Sequence, residues 1–270
     1  NSQFKSVKNP TNLINHGNWM GPAEAPLRGF SWRSGTQRDT TGIIFWSDVF
    51  LYDKPNGEKF AILIADSQGL FDTETSNADN TKIFSLVTLM TSITLLNLQG
   101  VIQEDHLQYL QFATEFARFS ANTAHQNEKP FQNFIFLIRD WHNPDEYDFG
   151  FNGGQQYLDE VLKIKTEHPA DIKSVREYLK LSFNDLACAL LPYPGKAVAS
   201  NSTYDGRWSS MDEDFMHELK DLIPNLFVSE NLMVKKINGF EITGATANDY
   251  FQQYLKLFQS SSVIQPQSIY

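Results

Sequence analysis

The chain has 270 residues, 41% of them hydrophobic and 20% charged, with 22 Lys and Arg against 32 Asp and Glu for a net charge of −10. That suits one large or two small folded domains and excludes a disordered chain, while an acidic balance without any Lys or Arg run argues against a nucleic-acid binder. The single cysteine, Cys188, excludes an internal disulfide, and in the apolar run LACALLP it reads as a small buried hydrophobe rather than a nucleophile.

Residues 1–42 carry Pro, Gly and Asn throughout and read as irregular. The start, NSQFKSVKNPTNL, is polar and lacks both the apolar core of a signal peptide and an initiator Met, so a fragment or a processed form is expected. IIFWSDVFLYD (43–53) predicts a strand, KPNG a turn, and EKFAILIAD (58–66) a second strand, together a hairpin. From Ile83 to Gln103 no residue is charged. A run of that length is long enough for a bilayer, but nine of its 21 positions are Ser, Thr, Asn, Gln or Gly, so it is read as a helix packed inside an α/β domain. EDHLQYLQFATEFARFSA (104–121) places Leu107, Leu110, Phe112, Phe116 and Phe119 on a helical period. FQNFIFLIRD (131–140) predicts an apolar strand, and GFNGG (150–154) a turn. GGQQYLDEVLKI and DIKSVREYLKLSF predict helices, the second capped by Asp171. LACALLP (186–192) predicts a buried strand stopped by proline. MDEDFMHELKDLI and TANDYFQQYLKLF predict amphipathic helices with acidic first turns, and 261–270 a linker.

Strands alternating with helices predict an α/β fold around a mostly parallel central sheet. Such sheets gather ligands at the carboxyl ends of their strands. Three predicted strand ends carry polar chemistry: Asp66, the Arg139-Asp140 pair, and the loop after Pro192.

Asp66 and Gly69 stand in D-x-x-G after an apolar run. An aspartate there can hold Mg²⁺, and a glycine lets its N–H approach a terminal phosphate; a plain strand-end turn gives the same pattern. RGFSWRSGTQRDTTG (28–42) combines arginines with a Thr-Thr pair, suited either to a loop that orders around a triphosphate or to solvent. In IFLIRD, Asp140 has the chemistry to accept two hydrogen bonds from guanine's N1–H and exocyclic amine, a donor pair adenine lacks, with Arg139 stacking over the base; the alternative is a surface Arg–Asp pair. There is no G-x-S-x-G to make Ser67 a hydrolase nucleophile, and the six His have no zinc spacing.

Taken in order, GFSWR…RDTTGI, DSQGLFD, FLIRDW, LLPYPGKAVAS, DLIP and INGFEIT resemble the atlastins, large GTPases of the dynamin superfamily related to guanylate-binding proteins. The resemblance covers nearly the whole chain, and Arg-Asp in place of the usual Asn/Thr-Lys-x-Asp is its most specific part. It implies a three-layer GTPase domain over 1–260, with 261–270 leading toward a helical middle domain. It further implies that Thr40 and Asp66 hold Mg²⁺ and that Gly69 meets the γ-phosphate. Arg139 and Asp140 would bind guanine, and Pro194, Gly195 and Val198 would lie in the loop capping the base. Thr40, Asp66 and Gln68 are the catalytic candidates, although Gln68 precedes Gly69, where small GTPases place Gln after it; Arg33 is a candidate phosphate or partner contact. GTP and GDP, a homodimer through these domains, and the cytosolic face of the endoplasmic reticulum, where family members fuse tubules, follow from the same resemblance. The phosphate loop G-x-x-x-x-G-K-[ST] is not found: the one Gly-Lys, Gly195-Lys196, is followed by Ala and preceded by Leu190 where the first glycine belongs. The resemblance therefore implies that the family's first strand, phosphate loop, its catalytic arginine and first helix precede residue 1, and that membrane segments lie outside this soluble stretch. A non-catalytic interaction module that retains the fold is the alternative.

Overall fold

The computed structural model describes residues 19–33, 38–54, 56–70, 75–120, 129–228 and 230–259; the expected linker at 261–270 lies outside them. The elements in chain order are β1 (Ile43–Phe45), β2 (Phe50–Asp53), β3 (Lys59–Ile62), β4 (Ala65–Ser67), α1 (Asn77–Met90), β5 (Ile93–Gln99), α2 (Glu104–Ser120), β6 (Phe131–Arg139), α3 (Gly150–Val161), α4 (Ala170–Ser182), β7 (Phe183–Leu190), the short α5 (Lys196–Ala199), α6 (Glu213–Phe227), β8 (Lys236–Ile237), β9 (Phe240–Glu241) and α7 (Gly244–Gln259).

The centre is the parallel sheet β5-β6-β7, with Leu95 opposite Ile135 and Phe136 opposite Cys188. Phe131, Phe134, Phe136 and Ile138 of β6 are all 1% exposed or less, as expected of a middle strand with both faces covered. Leu107, Leu110, Ala113 and Ala117 of α2 are fully buried in the main core with these strands. In a second, smaller cluster the partly buried Phe151, Phe215 and Leu137 close around Ala189, Leu191 and Leu222. The expected fold class, α/β with parallel strands at its heart, is the one observed.

Several boundaries differ from expectation. The predicted hairpin is present but interrupted: its strands split into β1 and β2, and β3 and β4, paired antiparallel as β2 with β3 and β1 with β4. Bends at Ser47 and Asp48 part the first two, and Trp46 bridges the gap by donating to the Ile64 carbonyl at 2.9 Å. The uncharged run 83–103 is not one helix. It is the end of α1, a break at Thr91-Ser92, and β5. Thr91 is extended and closes the helix with its N–H and hydroxyl both on the Val87 carbonyl. The polar residues of the buried helix are satisfied internally: Thr81 and Thr88 bond the carbonyls four residues back, and Ser85 reaches the Ala113 carbonyl at 2.7 Å. Among the described residues no helix is long and apolar enough to cross a membrane.

GFNGG is not a turn but the first turns of α3. A Cβ on Gly154 would lie 2.3 Å from the Cys188 carbonyl oxygen, so this glycine lets the helix backbone rest directly on β7. Asp171 lies in the first turn of α4 without capping it; Pro169 occupies the cap position.

Candidate functional site

The site residues fall into three groups. In the first, the β1–β4 ladder sets Ile44 against Asp66 and Ile43 against Ser67, so Asp66 lies inside a short strand rather than at its end. From the segment entering β1, the Thr40 hydroxyl donates to Asp66 Oδ2 at 2.5 Å. Gln68, 6% exposed, donates its backbone N–H to the Gly42 carbonyl at 2.9 Å and accepts the Gly42 N–H on Oε1 at 2.8 Å. Its Nε2 donates to Asn80 Oδ1 at 2.8 Å. Gly69 is exposed, and open space surrounds the position a Cβ would take. Arg38 donates to the Thr75 hydroxyl.

The second group sits at the carboxyl end of the parallel sheet. Arg139 ends β6 and donates Nε to Asn97 Oδ1 at 2.6 Å. Asp140 follows with φ +58°, a left-handed conformation uncommon outside glycine. Bonds on both sides hold it there: Gly100 donates to the Arg139 carbonyl at 2.8 Å and Trp141 to the Leu191 carbonyl at 2.9 Å. The Asp140 side chain is 6% exposed; Oδ2 accepts from Gln99 Nε2 at 2.7 Å, whereas Oδ1 is buried without a partner. A left-handed backbone and a buried oxygen without a donor on one residue are features that cluster at ligand sites.

The third group is the loop after β7. Pro194 accepts from the Asp212 N–H at 3.0 Å, and Gly195, at φ +98°, opens the short α5, where Val198 donates back to the Gly195 carbonyl at 3.1 Å. Residues 21–33 strap across the stretch that follows. Pro26 bridges Arg207, Leu27 donates to the Gly206 carbonyl at 3.3 Å, and Trp32 meets Tyr204 with ring centroids 5.6 Å apart. Arg33, which follows Trp32 in the strap, is exposed.

Sequence reading missed Gln99 and Asn97. The β5–β6 register sets Gln99 opposite Arg139, but the sequence signal, polar residues at alternate positions near a strand's carboxyl end, was hidden inside a run read as helix.

The donor chemistry of these residues can be tested against a cation and a nucleotide. Among the described residues no three His, Cys, Asp or Glu gather as a self-sufficient metal cage. Thr40 and Asp66 instead bring two hard oxygens together, the partial set suited to Mg²⁺, which keeps water and substrate phosphate in its remaining positions. The unpartnered Asp140 oxygen fits a base that offers donors. Cys188 carries no chemistry: burial pushes its thiol up to about 12.

A family model described as guanylate-binding protein, N-terminal domain, matches residues 13–237. The chain is 42% identical to human atlastin-2 over 251 residues, covering 93% of this chain and 43% of that protein. It is 41% identical to atlastin-1 of Macaca fascicularis, with 93% and 45% covered, and 41% identical to human atlastin-3, with 94% and 47% covered. The chain thus spans less than half the length of the curated relatives it matches. With the family model matched over most of its residues, this chain belongs to the guanylate-binding protein family of large GTPase domains, in the dynamin superfamily, and within it is atlastin-like.

Proposed function

We propose that this chain binds guanine nucleotide and forms the greater part of a GTP-hydrolysing domain. The observation that supports this best is Asp140, buried, fixed in a left-handed turn at the carboxyl end of the central strand, with one carboxylate oxygen unpartnered. Guanine presents N1–H and an exocyclic amine to such a group, and adenine does not. Arg139 covers the base, and the Pro194–Val198 loop closes over it. Thr40 and Asp66 would hold Mg²⁺, which would supply neutralisation of the phosphate charge. The Gly69 N–H donates to the γ-phosphate. What these residues supply is position and electrostatic complementarity, which is most of what phosphoryl transfer requires.

The intact protein, on this reading, pairs through two such domains when GTP is bound and acts at the cytosolic face of the endoplasmic reticulum membrane, where its relatives fuse tubules. Phosphate release from GTP and from ATP, with and without Mg²⁺, tests the proposal on the full natural protein. Mg²⁺-dependent release from GTP alone, lost in Asp66→Ala, is the expected result. Binding and hydrolysis of neither nucleotide by a folded protein would favour the non-catalytic interaction module.

A further inference from the structure

We infer that Gln68 is a positioning residue, a brace that ties together the chain on either side of the γ-phosphate position, rather than a group that touches the attacking water. The inference rests on the GTP reading above and on the hydrogen bonds of one side chain. Both ends of the Gln68 amide are engaged: Oε1 takes the Gly42 N–H at 2.8 Å and Nε2 gives to Asn80 Oδ1 at 2.8 Å. The residue is 6% exposed and Asn80 2%. One bond at each end fixes the orientation of the amide, and its burial shuts it off from bulk solvent.

The brace has a specific consequence for the backbone. The β1–β4 ladder pairs Ile43 with Ser67, and the next rung pairs Gly42 with Gln68. One bond of that rung is ordinary, the Gln68 N–H to the Gly42 carbonyl at 2.9 Å. The return bond, which in a continuing antiparallel ladder would go to the Gln68 carbonyl, goes to the Gln68 side chain instead. The side chain substitutes for the main chain, so the strand ends at Ser67 and the peptide leading into Gly69 leaves the ladder one residue before its N–H is needed. Gly42, at φ +71°, turns the opposite chain away at the same rung. The third arm reaches Asn80 in the first turn of α1, which follows the segment after Gly69. Asn80 is fixed in turn by its own N–H to the Ser76 carbonyl at 2.9 Å.

One amide therefore links the exit of the Thr40 segment, the entry of the Gly69 segment and the helix that ends it. Gln offers an acceptor for Gly42 and a donor for Asn80 from the two ends of one planar amide, and Asn would do so one methylene shorter.

The test uses the full natural protein and three variants: Gln68→Leu, Asn80→Ala and their double, with Asn80→Asp as the conservative control that keeps an acceptor for Gln68 Nε2. Amide hydrogen exchange without nucleotide is the first readout. The brace predicts faster exchange at Gly42 in Gln68→Leu and in Asn80→Ala, and near-normal protection in Asn80→Asp. Turnover is the second: kcat falls about tenfold in each single variant, as for loss of one buried hydrogen bond that holds the site, with no further fall in the double and recovery in Asn80→Asp. Normal Gly42 protection in Asn80→Ala overturns the brace, whatever the activity. A loss of kcat confined to Gln68→Leu assigns the residue to the water and also overturns it. Failure of the wild-type protein to hydrolyse GTP contradicts the GTPase reading, and the exchange readout still decides the brace. If Gln68→Leu does not fold, the Asn80 pair carries the test alone.

Discussion

Asp140 combines two costs that folding alone does not require, a left-handed backbone and a buried oxygen without a donor. Replacing it with asparagine keeps shape and volume but turns one acceptor into a donor. Charge-assisted hydrogen bonds contribute roughly 1.5–3 kcal/mol each, so Asp140→Asn should weaken GTP binding by about tenfold to a hundredfold. The same change should improve binding of xanthosine triphosphate, whose O2 would meet the new N–H donor; competition against a fluorescent GTP analogue measures both. Gly69 makes the complementary case. Its φ is ordinary and nothing lies within 4 Å of an added Cβ, so Gly69→Ala should leave thermal stability within about 0.5 kcal/mol of wild type. A Cβ there would crowd a γ-phosphate, so the same variant should lose GTP affinity by about tenfold or more; calorimetry and titration together separate the two effects. Asp66, Gly69 and Asp140 stand out in the sequence as candidates because each stands beside an apolar run with a residue type suited to the proposed chemistry. Gln99 was not, because its contact with Asp140 spans 41 positions and exists only through the parallel register.

Elements were legible where periodicity was unbroken. The apolar faces of α2 and the continuous β6 appear as read, except that Phe119, in register with the core positions, ends 68% exposed beyond the last packed turn. The run 83–103 was misread because lack of charge masked a change of period. Within ITLLNLQ, Thr94, Leu96 and Leu98 are buried and Leu95, Asn97 and Gln99 exposed, a strand's alternation. GFNGG was misread because glycine suggests turns, whereas here it allows close approach. Gly154→Ala should therefore lower unfolding stability by about 3 kcal/mol or more, since neither the α3 backbone nor the β7 carbonyl can yield cheaply; denaturant titration checks this.

At the scale of the whole molecule, the amino-terminal ends of the sheet strands hold the other unusual group. Lys235 donates to the Thr91 carbonyl at 2.8 Å, and burial brings its amine down to about 7. The sign follows from proton counting. The unfolded chain, with lysine near its ordinary value, binds more protons than the folded chain between about pH 7 and pH 10, so this group makes stability rise with pH across that window. Burial that raises Cys188 to about 12 and Tyr254 to about 12 acts oppositely at the alkaline end. The quantity to measure is therefore the difference in melting temperature between wild type and Lys235→Met, which should shift in favour of wild type as pH rises from 7 to 10. A difference independent of pH would contradict the assignment.

The central claim, that the carboxyl edge of β6 and the Thr40–Asp66 pair form a guanine-nucleotide site, is tested most directly by equilibrium binding of a fluorescent GTP analogue to the full natural protein with Mg²⁺, competed by GTP and by ATP. The account predicts displacement by GTP and none by ATP at the same concentration, with binding weakened in Asp140→Asn. Equal displacement by ATP, or wild-type affinity in that variant, would contradict it.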